Sequence, residues 1–206
     1  VSLVGKQFLL VARNTAVRSA VENELKVRGA KSVAVESWEQ AREQLTGQTF
    51  GGVVCVSEKT VNSAAAALEL AGAFETIRLL ALERGGEMDG VCLLLATESA
   101  GVFGALAQTG DGELAAGYAG IAKSLTKEWP GARTLALDTD GRSAAALAIT
   151  MLDELQSEGP SEISWHAGKR LTLQRVESLE QLSVDADEVK TVVATGGARG
   201  VTFEIL

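Results

Sequence analysis

Near the end of the chain, one short stretch has the residue types and spacing to hold a phosphate. Thr191 to Ala194 is an apolar run that reads as a buried strand, and Thr195-Gly196-Gly197-Ala198-Arg199-Gly200 reads as a turn. From Val201 to Leu206 the residues read as the first turns of a helix. A strand, a glycine turn and a helix N-terminus make a phosphate cradle: the glycines let the backbone come close to a pyrophosphate, and the free N–H groups at the helix start favour negative charge. Thr195, Gly196, Gly197, Arg199 and Gly200 are the candidate cofactor-binding residues. Thr195 is placed to hold the turn by a bond from its side chain to the backbone, although a strand-end threonine also simply fits the pleat. The third glycine of the G-x-x-x-G-x-G spacing is replaced by Thr202, and the helix is unfinished at Leu206. The strands and helices that a nucleotide site also needs are expected beyond that residue.

The elements upstream alternate. Strands are expected at Gln7 to Val11, Ser32 to Val35, Gly52 to Val56, Gly90 to Ala96 and Arg133 to Leu137. Helical spacing is expected at Ala16 to Arg28, Trp38 to Leu45 with Ser37 as cap, Ala64 to Arg84, Leu114 to Trp129 and Ala144 to Leu155. The strands are continuous apolar runs, the signature of a parallel sheet buried on both faces. The expected class is therefore α/β. With 46% hydrophobic but only 4% aromatic residues, the core must be built from Ala, Val and Leu, which favours helices on a sheet over an aromatic-rich sandwich. The pattern then changes. Ser161 to Trp165 and Arg170 to Val176 flank Ala167-Gly168 and read as two strands joined by a tight turn. Glu177 to Glu188 is acidic and reads as a linker. The expected organisation is one α/β unit over residues 1–180, a linker over 181–189, and the opening of a second unit over 190–206.

Several chemistries are disfavoured. A net charge of −8 with dispersed Lys and Arg argues against nucleic acid. Cys55 and Cys92 sit in apolar strand runs and read as buried free thiols of a reducing compartment. His166 has no nearby Cys or His partner, so no metal site is expected, and no nucleophile motif accompanies it. Trp165 and His166 alternate along a strand, one toward the core and the other toward solvent. Lys123, Lys127 and Glu128 read as a solvated helix face, and Trp38 and Trp129 as packing at helix ends. With no secretory signal and no run of membrane-spanning length, a cytoplasmic protein without a membrane partner is expected. The turn after the first strand, Ala12-Arg13-Asn14-Thr15, holds no glycine, so the first unit lacks the backbone access that a pyrophosphate needs. Its strand–helix start has a remote topological likeness to response-regulator receivers. Where receivers carry their acidic residues this chain has Ala12 and Arg13, then Val56 and Ser57.

A more specific likeness lies in Gly120-Ile121-Ala122-Lys123-Ser124-Leu125-Thr126-Lys127-Glu128-Trp129 and the strand from Arg133. This segment resembles the second half of the catalytic helix, and the next strand, of short-chain dehydrogenases. The resemblance implies an active site of Ser, Tyr and Lys, the Tyr protonating a carbonyl oxygen and the Lys lowering its pKa. In this chain the Ser position falls on Glu98, the Tyr position on Asp111 and the Lys position on Ala115. None of the three types is kept. Tyr118 is near, but four residues on stands Ala122.

The whole arrangement resembles the ketoreductase of polyketide synthases, in which a degenerate structural subdomain precedes the catalytic one. The residues that carry it are CLLLATESAG, GYAGIAKSLTKEWP, EISWHAGKRLTLQRV and TVVATGGARGVT. The Val-Thr after the last glycine resembles the iterative polyunsaturated-fatty-acid and enediyne types. The resemblance implies a truncated or degenerate Rossmann-like parallel sheet with helices on both faces. It also implies reduction of β-ketoacyl groups on an acyl carrier protein, with NADPH as the cofactor of the complete domain and Arg199 meeting its 2′-phosphate. The partner would be the catalytic subdomain downstream, its catalytic residues beyond Leu206, so no catalytic residue is expected in this chain. Two other readings stand beside this one: a stand-alone docking or interaction module, and a small reductase that uses Glu98 and Asp111 as an acid–base pair.

Overall fold

The computed structural model describes residues 1–58, 62–103 and 111–173, with Asp111 described by its backbone alone. The chain divides into a unit Val1–Leu173 and a unit Gln174–Leu206. The glycine turn, the linker and the boundary expected at residues 180–189 all lie outside the described residues.

Within the first unit the elements follow the expected alternation. They are β1 (Gln7–Ala12), α1 (Thr15–Val27), β2 (Lys31–Val35), α2 (Trp38–Leu45), β3 (Gly52–Val56), α3 (Ser63–Glu83), β4 (Cys92–Thr97), α4 (Asp111–Glu128), β5 (Arg133–Thr139), α5 (Ala144–Gln156), β6 (Glu162–His166) and β7 (Lys169–Leu171). The seven strands form one sheet in the order β2-β1-β3-β4-β5-β6-β7, parallel except for the antiparallel β6–β7 pair. The doubly wound dinucleotide fold has the order 3-2-1-4-5-6. Removing its edge strand 3 and renumbering gives 2-1-3-4-5, the order of the first five strands here. That order is also the other common doubly wound one, and the sheet is Rossmann-like.

Alternation along each strand splits the core into two layers. Leu9, Val11, Val53, Cys55, Leu93 and Leu95 face a layer completed by α2, α3 and α4. Phe8, Leu10, Val54, Val56, Leu94 and Ala96 face the opposite layer, completed by α1 and α5. Both faces of the central strands β1, β3, β4 and β5 are buried, which is why these strands read as unbroken apolar runs.

The boundaries that differ from the sequence reading have local causes. β4 begins at Cys92 because Gly90, with φ of +73°, belongs to the preceding turn. β5 runs past Leu137 to Thr139 because Asp138 and Thr139, although polar, are fully buried and bonded to their neighbours. α4 starts at Asp111 and ends one residue short of Trp129, where the following Pro130 disfavours helix. β6 and β7 are joined through Ala167 and Gly168, both at positive φ, as a two-residue hairpin requires. β7 ends at Leu171, short of the expected Val176.

Candidate functional site

In an open α/β sheet, ligands bind in the crevice beyond the carboxyl ends of the strands where the strand order reverses. Here that point lies between β1 and β3. A cavity of about 160 Å³ sits there, lined by Ala12, Arg13, Ser37, Trp38, Ser57 and Glu69 among others. It is small because side chains occupy it. The Glu69 carboxylate reaches across from α3, accepting from Arg13 Nη2 at 2.8 Å through one oxygen and from Trp38 Nε1 at 2.8 Å through the other. Trp38 in turn lies flat on α3 at Gly72, where an added Cβ would stand 2.6 Å from the indole ring.

The helix that would meet a pyrophosphate is α1. Its N-cap is Asn14, whose Oδ1 accepts from Ala16 N at 3.0 Å and Val17 N at 3.2 Å. Two of the N–H groups that an anion would need are thus held by the chain's own carboxamide. The missing glycine read from the sequence therefore has a structural counterpart. The turn is an Asx cap, and the crevice behind it is bridged by the Arg13–Glu69 pair.

One strand further along, Tyr118 of α4 is almost completely buried. Its hydroxyl lies 2.7 Å from Ser57 Oγ and 3.8 Å from Cys55 Sγ. Burial pushes the phenol well above its ordinary pKa, and pushes the Cys55 thiol up to about 12. A phenol that donates a proton in catalysis needs the opposite shift, from a neighbouring cation. The residue one helical turn on is the buried Ala122, which supplies none. Cys55 and Cys92 are both buried free thiols, as the sequence implies.

The sequence-derived positions are placed as follows. Glu98 follows β4, half-buried, with Oε1 accepting from Arg142 N at 3.3 Å. Ala115 is fully buried in the layer beneath α4 and has no polar atom to offer. Asp111 opens α4. The structure brings Tyr118, Ser57 and Cys55 together but does not join Glu98 to them by any hydrogen bond among the described residues. Thr195, Gly196, Gly197, Arg199 and Gly200 lie outside the described residues.

One residue that the sequence reading passed over organises this end of the sheet. Asp138, fully buried at the end of β5, accepts from Thr97 Oγ1 at 2.9 Å and Ser99 N at 2.7 Å through Oδ1. Its Oδ2 accepts from Val102 N at 2.9 Å and Phe103 N at 2.8 Å. Four donors on one carboxylate fix the loop after β4 that begins at Glu98, the position matched to the family's active-site Ser. Gly101 in that loop has φ of +69°, and a Cβ there would stand 2.0 Å from Trp165 O. The signal available in the sequence was an acidic residue set directly after the apolar run Leu135 to Leu137.

His166 and Trp165 are both half-buried. Trp165 Nε1 donates to the buried Glu154 at 2.9 Å, and His166 Nδ1 lies 2.7 Å from Ala100 O, so the histidine is tied to the same loop rather than simply facing solvent. Lys123 is half exposed but pairs with the buried Glu162 at 2.7 Å, a partner that the expectation of a solvated face did not include.

No protein-family model and no curated protein matches the chain. Solved structures do. One is a small-chain dehydrogenase, 13% identical with a TM-score of 0.56, the match covering 74% of this chain and 90% of that one. Another is a short-chain dehydrogenase/reductase from Serratia marcescens, 15% identical with a TM-score of 0.50, covering 82% of this chain and 99% of that one. The fold is that of the short-chain dehydrogenases. At these identities the likeness is one of fold. That fold is present, while the crevice of the first unit is bridged by Arg13, Glu69 and Trp38 and the start of α1 is capped by Asn14. Among the described residues no group of His, Cys, Asp and Glu could hold a metal, and no helix is long and apolar enough to cross a membrane.

Proposed function

We propose that this chain is the non-catalytic structural part of an NADPH-dependent β-ketoacyl reductase in a polyketide or fatty-acid synthase. Its role there is to stabilise a catalytic half that reduces β-ketoacyl thioesters on acyl carrier protein. The observation that carries the reading is the state of the switch-point crevice. The sheet is that of a short-chain dehydrogenase, yet the α1 N-terminus is capped by Asn14 and the crevice is bridged by Arg13, Glu69 and Trp38. Asp111, Ala115 and Glu98 stand where the Tyr, Lys and Ser are expected. A fold kept without its chemistry fits a scaffold.

On this reading the cofactor belongs to the second unit, with Thr195, Gly196, Gly197 and Gly200 cradling the pyrophosphate and Arg199 meeting the 2′-phosphate. The partners are the downstream catalytic subdomain and the acyl carrier protein, and the compartment is the cytoplasm. The iterative polyunsaturated-fatty-acid or enediyne setting is part of the same proposal, motivated by Val201-Thr202 after the glycine turn.

The test is NADPH consumption with a β-ketoacyl thioester, measured on this chain and on one extended downstream by a further domain. Activity in the extended protein alone is the expected result, and activity in this chain alone overturns the proposal. A second reading, a stand-alone interaction module without reductase activity, is favoured by the exposed Leu68, Phe74 and Leu82 along α3. Silence of both proteins in the assay would select it.

A further inference from the structure

At the amino ends of the strands, opposite the crevice, a lysine and a cysteine are in contact across the sheet. Lys6 precedes β1 and Cys92 opens β4, with β3 between them. Lys6 Nζ lies 3.5 Å from Cys92 Sγ and also donates to Gly90 O. The thiol points at the same carbonyl, 3.8 Å away. Amine, thiol and carbonyl converge on one spot.

The route that the lysine takes is set by the residue just before β3. Its stem lies over Gly51, where an added Cβ would stand 2.9 Å from Lys6 Cβ and 3.1 Å from Cγ. At Gly52, the residue paired with Cys92, an added Cβ would meet Cys92 O at 2.0 Å. Gly51 thus leaves a track for the stem, and Gly52 lets the Cys92 backbone close on β3. The lysine is half-buried and the cysteine fully buried, so the contact is shielded from competing nucleophiles. Cys55, the other buried thiol, bonds among the described residues to hydroxyls, Ser57 Oγ at 3.5 Å and Tyr118 OH at 3.8 Å.

We propose that Cys92 and Lys6 form an oxidation-dependent covalent cross-link, with a peroxide as the oxidant. In the first step the Cys92 sulfur attacks one peroxide oxygen and the O–O bond breaks. The thiol becomes a sulfenic acid and hydrogen peroxide is reduced to water. In the second step the Lys6 amine attacks that sulfur, forming an S–N bond. The S–O bond breaks, and the hydroxyl leaves with an amine proton as a second water. The sum is one thiol, one amine and one hydrogen peroxide giving one sulfenamide and two waters. A thiol reductant reverses the link, returning the thiol and the amine. Burial raises the Cys92 thiol pKa while the Lys6 ammonium pulls it back down. The first step runs through the thiolate, so it should speed as pH rises.

The experiment treats the intact chain with hydrogen peroxide at mildly alkaline pH, then digests it with trypsin and reads the peptides by mass spectrometry. The expected result is a peptide pair joined through Lys6 and Cys92, lighter by two hydrogens than the two peptides together. Cleavage after Lys6 should be lost and should return on reduction. Cys55 should remain a thiol. Lys6→Arg keeps the charge but removes the primary amine, so the link should be lost in a variant whose circular dichroism is unchanged. Either of two results would overturn the proposal: Cys92 oxidised but unlinked in the parent chain, or Cys92 untouched under conditions that oxidise the methionines. If Lys6→Arg fails to fold, the parent chain's peptide map still decides.

Discussion

The hydroxyl of Tyr118 lies 2.7 Å from that of Ser57, and both side chains are buried. Ser57 follows β3 and lines the switch-point crevice, and the pair is closed on itself. Each hydroxyl satisfies the other, with the Cys55 thiol beside them, and among the described residues no cation bonds to the phenol.

Replacing Tyr118 with Phe should therefore act on stability and not on catalysis. The lost hydrogen bond and the single hydroxyl left behind cost about 1–2 kcal/mol. Urea unfolding of this chain measures that cost, and NADPH turnover of the extended protein should be unchanged. A large loss of turnover with intact folding would mean that the phenol takes part in the chemistry.

Alkaline pH should weaken the fold. Cys55 has a folded pKa of about 12 against an ordinary 9.0, and the Tyr118 phenol is likewise raised, both chiefly by burial. Their neutral forms are favoured in the folded state, so their contribution is fully present below the ordinary pKa values and is lost as pH rises above them. Between pH 9 and 12 the unfolded chain has lost the Cys55 proton while the folded chain keeps it. Stability should fall by at most about 1.4 kcal/mol per pH unit for each such group. Urea midpoints across that range should show a shallower slope in Cys55→Ala.

Asp138→Asn should be among the most damaging single changes. The carboxylate accepts from Thr97, Ser99, Val102 and Phe103, and an amide would turn an NH2 toward two of those donors. The expected loss is roughly 3 kcal/mol. Hydrogen exchange should show the backbone amides of Ser99, Val102 and Phe103 opening before the rest of the sheet.

Asn14→Ala should cost about 1 kcal/mol by uncapping α1. It should not create a cofactor site, because Arg13, Glu69 and Trp38 still bridge the crevice. Calorimetric titration of the variant with NADPH should give no heat of binding at this unit. Measurable affinity confined to the variant would show that the cap alone had closed the site.

Glu98→Ala and Asp111→Ala, made together in the extended protein, should leave NADPH turnover within about twofold of the parent, since loss of a true acid–base partner costs on the order of a hundredfold or more. A loss of that larger size would revive the reading of these two carboxylates as an acid–base pair.

The sequence by itself determined the alternation of strands and helices, the double-sided burial of the sheet, the capping role of Ser37, and the two free thiols. Each follows from local spacing: 3.6-residue periodicity, unbroken apolar runs, and a cap or glycine at each end. It also determined that no glycine follows β1, and so that the first crevice could not be opened to a pyrophosphate by backbone alone. Only the tertiary structure decided what fills that crevice. Arg13 and Glu69 are 56 residues apart, and Ser57 and Tyr118 are 61 apart. Asp138 meets its loop from 35 to 41 residues away. Such contacts depend on which strands become neighbours. The strand order β2-β1-β3-β4-β5, which sets which side chains become neighbours, shows only in the structure. Local pattern states what each segment is. The packing of the sheet decides which polar side chains are buried together, and buried polar groups must find partners wherever the fold brings them.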